Sequence, residues 1–382
     1  MLSDVYFPRI NGVSTSMHTF SHALHAHGVK LTVAAPEYPG NHVHLETPHE
    51  VLRIASRPVP LDPEDRLMTR AGVNELSRRI ASADISLVHV QTPFAAHYAG
   101  IKIAKQRRVP IIATYHKQLV EYMFHYWPIV PKRALRGLAR HTARRQCNAL
   151  DAIVVPSRPM ANTLREYGVT TPMHIIPTGL PEYQFIRGDG QRFRAEYNIA
   201  PERKIALFVG RAAFEKNIGF LLDVIHHART QRPDLLLVIA GEGPALESLQ
   251  RKARQLNLND HVRFVGYLPR ETGLKDCYAA ADVFTFASRT ETQGLVLLEA
   301  LAVGVPVLAL PALGAAEIIN PQRGAVSAID APDTFAHQLV TLLEQPERMA
   351  TLSQEGIAFA REWDAATQAA QLANLYHSLA RK

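Results

Sequence analysis

The chain has 382 residues, 47% of them apolar and 20% charged, with two cysteines and a formal net charge of +7. That length suggests about two domains of roughly 150–200 residues each, and the composition is that of a soluble globular protein. Cys147 and Cys277 cannot make a disulfide framework and match no metal-ligand spacing, which argues against a secreted disulfide scaffold and favours a reducing compartment.

The opening "MLSDVYFPRI" has an acidic residue at position 4 and no apolar run of signal-peptide length, so a cytoplasmic location is expected. Only "MLS" precedes Asp4, little for a buried first strand of about five or six residues, so a start upstream of Met1 is also expected. The longest uncharged stretch, 300–316, is interrupted by Pro306 and Pro311 and falls short of the ~20 residues that span a bilayer. Charge is uneven: residues 1–190 carry 22 Lys and Arg against 14 Asp and Glu, a net of +8, which leaves −1 for the rest. A basic half beside a neutral half suits an anionic partner, whether nucleic acid, anionic lipid or a phosphorylated substrate.

In chain order, apolar runs of strand type occur at "VKLTVAAP" (29–36), "ISLVHVQ" (85–91), "VPIIATYH" (109–116), "DAIVVPS" (151–157) and "MHIIPTG" (173–179). They continue at "KIALFVGR" (204–211), "DLLLVIAGEG" (234–243), "VRFVGYL" (262–268), "ADVFTFAS" (281–288) and "VPVLAL" (305–310). Continuous apolar strands, each followed by a longer segment, predict two doubly wound parallel sheets with helices on both faces. The rhythm lapses in 179–204, so the expected domains are 1–185 and 186–360. Residues 361–382 form a closing amphipathic helix that returns to the first domain. In such sheets ligands bind at the carboxyl ends of strands.

Several motifs sit at those ends. "INGVST" (10–15) is a loop leading into a helix capped near Ser14 or Thr15, where Gly12 would allow close backbone approach and helix amides would face a phosphate. An ordinary strand-to-helix turn would look the same. After "KIALFV" come Gly210, Arg211 and Lys216, two cations suited to a diphosphate leaving group. "GEGP" (241–244) follows a strand, yet no complete Gly-x-Gly-x-x-Gly fingerprint occurs, which counts against a nicotinamide enzyme.

"ETQGLVLLEALAVGVPV" (291–307) carries Glu291 and Glu299. If 292–294 form a loop opening a helix at about Leu295, the two carboxylates do not face each other as a glycosidase pair would across roughly 5–9 Å. Each better suits hydroxyl recognition. Glu299 lies among Leu297, Leu298 and Leu301, where a buried carboxylate requires a partner.

"NGV", "GR…EKN", "GEGP" and Glu291 with Glu299, in this order along nearly the whole chain, resemble family-4 glycosyltransferases, which are retaining, nucleotide-sugar-dependent enzymes of the GT-B fold. The resemblance implies that Gly12 packs against the donor diphosphate and that Arg211 and Lys216 stabilise the departing nucleotide. It further implies that Glu299 binds the ribose, that Glu291 with the amides of Thr292, Gln293, Gly294 and Leu295 holds the donor hexose and phosphate, and that His116 contacts the sugar. No cofactor or metal is implied, and the sequence has no Asp-x-Asp motif. Retention in this family is explained by front-face attack with stabilised charge separation, so no protein nucleophile is required.

Segment 114–147 is the most individual. Arg133, Arg136, Arg140 and Arg144 fall in one helical stripe after Met123, Phe124, Tyr126 and Trp127, and no acidic residue occurs from 122 to 150. A basic helix beside aromatics suits peripheral contact with an anionic membrane, each cation contributing on the order of 1 kcal/mol. The same pattern also fits core aromatics with a solvated arginine face. No recognised nucleic-acid module accompanies the charge. "TYH…EYMFHY" with "ETQGL" resembles the branch that glucosylates diacylglycerol, which implies UDP-glucose as donor and a lipid acceptor on the inner face of the membrane. The alternatives are a mannosyl- or other hexosyltransferase of polysaccharide or lipopolysaccharide assembly, and a non-catalytic nucleotide-sugar-binding protein.

Overall fold

The computed structural model of the chain describes residues 1–39, 47–59, 62–116 and 132–380, with the backbone alone described at 62–65 and 132–136. It divides into two compact units, Met1–Gly179 with Ala365–Lys382, and Leu180–Asp364. The crossings fall at 179/180 and 364/365, a few residues from the boundaries read in the sequence.

In the first unit the chain start is built into the sheet. Leu2 bridges Ala34 of β1 (Thr32–Pro36) and Val90, so residues 1–3 lie between two strands. β1 pairs in parallel with β2 (Glu50–Ile54) on its far side. Then come β3 (Ser56–Val59) and β4 (Asp62–Met68), an antiparallel hairpin separate from the main sheet. Beyond Leu2, β5 (Val88–Val90), β6 (Ile111–Thr114), β7 (Ala152–Val155) and β8 (Met173–Ile175) run parallel in that order. Reading Leu2 as a strand position, neighbours diverge in sequence on its two sides, toward β1 and toward β5. This is the topological switch point of a doubly wound sheet.

Helices α1 (Gly12–His25), α2 (Arg70–Arg79), α3 (Ala95–Arg107), α4 (Lys132–Cys147) and α5 (Arg158–Glu166) belong to this unit. The α1 cap is Asn11, not Ser14 or Thr15. Its carboxamide oxygen accepts from the Val13 and Ser14 amides at 2.9 and 3.0 Å, and the Ser14 hydroxyl accepts from the Asn11 amide at 2.9 Å. This reciprocal box starts the helix at Gly12. Asp4, buried beyond β1's neighbour position, accepts from the Thr92 hydroxyl at 2.7 Å and from the Ala96 amide at 3.1 Å, so it caps α3 from another segment.

Two buried histidines of this unit are held neutral. Burial pushes the His97 ring down to about 4, and burial together with the neighbouring His22 and His18 does the same to His49. The unfolded chain protonates these rings at about 6.5, whereas the native one withholds protons until about 4. Protons therefore favour unfolding in that window. The melting temperature should fall steadily as the pH drops from ~6.5 to ~4; a flat profile across that range in thermal melts would contradict the assignment.

The second unit has six parallel strands. β9 (Lys204–Val209), β10 (Leu235–Ala240), β11 (Val262–Gly266), β12 (Val283–Phe286), β13 (Val307–Ala309) and β14 (Ala325–Ser327) lie in the order β11-β10-β9-β12-β13-β14. β10 and β12 are buried throughout, as strands covered on both faces must be. The covering helices are α6 (Gly190–Glu196), α7 (Ile218–Ala228), α8 (Leu246–Gln255), α9 (Gly273–Ala280), α10 (Leu295–Ala302), α11 (Ala315–Ile319), α12 (Pro332–Leu343) and α13 (Pro346–Arg361).

The closing helix differs from the single amphipathic stretch read in the sequence. α13 ends at Arg361, and α14 (Ala365–Ala380) begins after a break in which the Trp363 carbonyl accepts the Leu180 amide at 2.7 Å. Phe359 and Trp363 pack with the second unit, while Leu372, Leu375 and Tyr376 pack against α1 and β1 in the first. The Tyr376 hydroxyl meets His89 Nδ1 at 2.6 Å, inside the first unit's sheet.

Candidate functional site

The strand order of the second unit reverses between β9 and β12, and the loops leaving these two strands carry Arg211, Lys216 and Glu291, with Glu299 on the helix that follows. After β9, Gly210 takes φ +152°, followed by Arg211, a 3₁₀ turn at Phe214–Lys216, and Asn217 in the left-handed region at φ +55°. Asn217 tolerates that conformation and uses its side chain as a tie, donating to the Ala287 carbonyl at 3.0 Å. From the other side the Ser288 hydroxyl donates to the Glu215 carbonyl at 3.1 Å. Two loops 70 residues apart are thereby fastened together.

Between them Lys216 Nζ lies 2.6 Å from Glu291 Oε2 and 5.9 Å from the centroid of the Phe286 ring. Both charged side chains are largely buried, 24% and 16% exposed, so their attraction is screened less than that of a surface pair. The Glu291 loop rests on Gly314. A Cβ there would stand 1.8 Å from the Thr292 carbonyl oxygen, and the Gly314 amide donates to the Glu291 carbonyl at 2.9 Å. Gln293 is buried, and Gly294, at φ +91°, turns the chain into α10 at Leu295.

"GEGP" has a structural explanation. A Cβ on Gly241 would meet the Gly210 carbonyl oxygen at 1.9 Å, and one on Gly243 the Ala212 carbonyl oxygen at 2.6 Å. The two glycines let this loop zip onto the Arg211 loop, with the Ala212 amide donating to the Glu242 carbonyl and the Ala245 amide to the Ala212 carbonyl, both at 2.8 Å. Arg211 lies half-buried over Gly243.

Glu299, 6% exposed on α10, is partnered by residues that sequence reasoning missed. Its Oε1 accepts from Arg270 and from Gln184 Nε2, the latter at 3.4 Å, and its Oε2 accepts from the Tyr278 hydroxyl at 2.9 Å. Glu299 holds the Arg270 guanidinium above its ordinary pKa, and burial followed by the Glu299 charge pushes the Tyr278 phenol well up, so both remain donors. The burial of Glu299 among leucines signalled that partners were needed; their positions, 29 and 21 residues away, carried no pattern. Lys216 and Glu291 are thus in direct contact, while Glu299 occupies its own polar cluster.

In the first unit, His116 Nε2 lies 2.8 Å from Gln91 Oε1 at the carboxyl ends of β6 and β5. Gly12 opens α1, and a Cβ built on it meets nothing within 4 Å. On α4 the buried face is Ala139, Ala143 and Cys147, while Arg140 and Arg144 are exposed. Arg140 lies 5.2 Å from the Tyr167 ring centroid, and Leu138 is exposed. Trp127 falls outside the described residues, and Arg133 and Arg136 are described by their backbone alone. Among the described residues no helix is long and apolar enough to cross a membrane, and no group of three or more His, Cys, Asp or Glu could hold a metal.

Two parallel doubly wound units, with a cation and a carboxylate paired at a switch point, are the architecture of GT-B glycosyltransferases. Over its whole length the fold matches a sucrose-phosphate synthase from Thermosynechococcus elongatus, with a TM-score of 0.80 at 22% identity, covering 99% of this chain and 98% of that one. Residues 10–182 match Glycosyltransferase Family 4 and residues 189–359 match Glycosyl transferases group 1. An alpha-monoglucosyldiacylglycerol synthase of Streptococcus pneumoniae is 31% identical over 316 residues, covering 81% of this chain and 70% of that protein. A GDP-mannose-dependent alpha-(1-6)-phosphatidylinositol monomannoside mannosyltransferase of Mycolicibacterium smegmatis is 29% identical, covering 98% and 97%. The chain belongs to glycosyltransferase family 4, and it is a nucleotide-sugar-dependent transferase.

Proposed function

We propose that the protein transfers glucose from UDP-glucose, with retention and without a metal, to a diacylglycerol-type lipid while resting on the cytoplasmic face of an anionic membrane. The observation that carries the transferase chemistry is the Lys216–Glu291 pair at the β9/β12 switch point. Lys216 and Arg211 neutralise the departing diphosphate, a role a metal would otherwise take. Glu291 and the amides of 292–295 hold the hexose. Glu299 meets the ribose hydroxyls with its carboxylate held in place by Arg270 and Tyr278. Gly12, with open space where a side chain would stand, lets the phosphates approach the start of α1, and His116, oriented by Gln91, meets the sugar.

The lipid acceptor is supported by the similarity to the pneumococcal synthase and by the exposed Arg140 and Arg144 on α4. Similarity to the GDP-mannose enzyme across nearly the full chain keeps mannosyl transfer as the second reading. Nucleotide release should be measured with UDP-, GDP- and ADP-sugars, with and without anionic lipid vesicles carrying diacylglycerol. Release from UDP-glucose, stimulated by the vesicles and unchanged by EDTA, is expected. Preference for GDP-mannose would move the assignment to the second reading, silence with every donor would refute turnover, and EDTA inhibition would refute metal independence.

A further inference from the structure

The first unit contains a cavity of about 230 Å³ at its own switch point, where the loops after Leu2 and after β5 part. One end is polar and internally satisfied, with Gln91 holding His116 and Thr92 bonded to Asp4. The remaining wall is largely apolar. Val59 and Leu67 line it from the β3–β4 hairpin together with Arg66, whose guanidinium is bonded to Ser56, Phe94 from the loop before α3, and Leu150 from the turn after α4. Protein interiors rarely leave voids much larger than a water molecule. This volume is also below the ~300–1,000 Å³ that holds a whole drug-sized ligand. It suits one part of an amphiphile.

We infer that this cavity receives the first methylenes of one acyl chain of the acceptor, with the acceptor's free hydroxyl toward His116, so that the hairpin and Phe94 select the acceptor by its hydrocarbon. The inference rests on the lipid-acceptor reading and deepens it, since it assigns recognition to the acyl chain in addition to the hydroxyl. The neutral His97 in the cavity wall fits a surrounding of low polarity. The hairpin, a two-stranded sheet of its own, contributes Val59, Arg66 and Leu67 to the cavity lining.

The test uses the full chain and diacylglycerols that keep one acyl group as acetyl and grade the other from acetyl to hexanoyl, dissolved as monomers in water below their aggregation threshold. Each methylene entering the cavity should raise kcat/KM about fourfold, the equivalent of the ~0.8 kcal/mol of a buried CH₂, until the cavity is full, with the donor KM unchanged. Leu67→Trp, which fills the space from the half-buried hairpin, should flatten this dependence by about tenfold or more at the longer chains. Phe94→Ala, which removes a wall, should extend it to longer ones. Slow transfer of the sugar to water should be the same in both variants as in the parent, which reports that each is folded and binds donor. Chain-length dependence identical in parent and variants overturns the inference while leaving the lipid acceptor intact. Transfer to a soluble sugar acceptor and to no diacylglycerol overturns the lipid-acceptor reading, and the inference with it.

Discussion

Lys216→Ala should lower kcat by about 10²–10³, the loss typical when a donor aimed at developing negative charge is removed, while the melting temperature falls by only a few degrees. Lys216 pairs with Glu291, and removing the cation from beside that carboxylate costs on the order of 1–3 kcal/mol. The loops themselves stay tied through Asn217 to Ala287 and Ser288 to Glu215. Lys216→Met separates charge from packing, since it retains an apolar stem over Phe286. It should be as inactive as the alanine variant and more stable. Steady-state kinetics beside calorimetric melts decide the matter: activity lost only in proportion to unfolding would make Lys216 a structural residue.

Two glycines should respond in opposite ways to the same added methyl. At Gly12 a Cβ meets nothing within 4 Å and φ lies outside the left-handed region, so Gly12→Ala should fold as well as the parent or slightly better, alanine being the stronger helix former. Its cost should appear as a donor KM raised about tenfold or more, since in the proposed function the diphosphate packs against the bare Gly12 backbone, where the methyl would stand. At Gly314 the methyl would collide with the Thr292 carbonyl, a backbone atom with no rotamer by which to yield. Gly314→Ala should therefore displace the 291–294 loop, weakening nucleotide binding and stability together. Calorimetric titration with UDP alongside thermal melts separates the two; a Gly12→Ala enzyme with parental donor KM would remove Gly12 from the phosphate site.

These contrasts also mark how far the sequence could be read. β9, β10 and β12 were legible because strands covered on both faces must be apolar throughout, and their termini drew attention to Arg211, Lys216 and Glu291, whose roles came from the family resemblance. The β3–β4 hairpin was not legible. Its "SRPVPLDPEDRLM" is rich in proline and charge, which edge strands tolerate and central strands do not. β14, three residues long, is too short to stand out as an apolar run. Arg270 and Gln184 reach Glu299 only through tertiary placement, and the role of Gly314 depends on a carbonyl 22 positions earlier in the chain. "GEGP" carried little by itself: a glycine needed for backbone-to-backbone approach has the same spelling as one needed for phosphate.

The return of α14 to the first unit bears on how the protein is made. Residues 365–380 supply Leu372, Leu375 and Tyr376 to a core whose other members come from the first two hundred residues, and Tyr376 reaches back 287 positions to His89. A ribosome that has synthesised the second unit's whole sheet has still not delivered the last piece of the first. The unit begun earliest is completed last, and until then α1 leaves an apolar face uncovered, open to chaperones and to premature association with neighbouring chains.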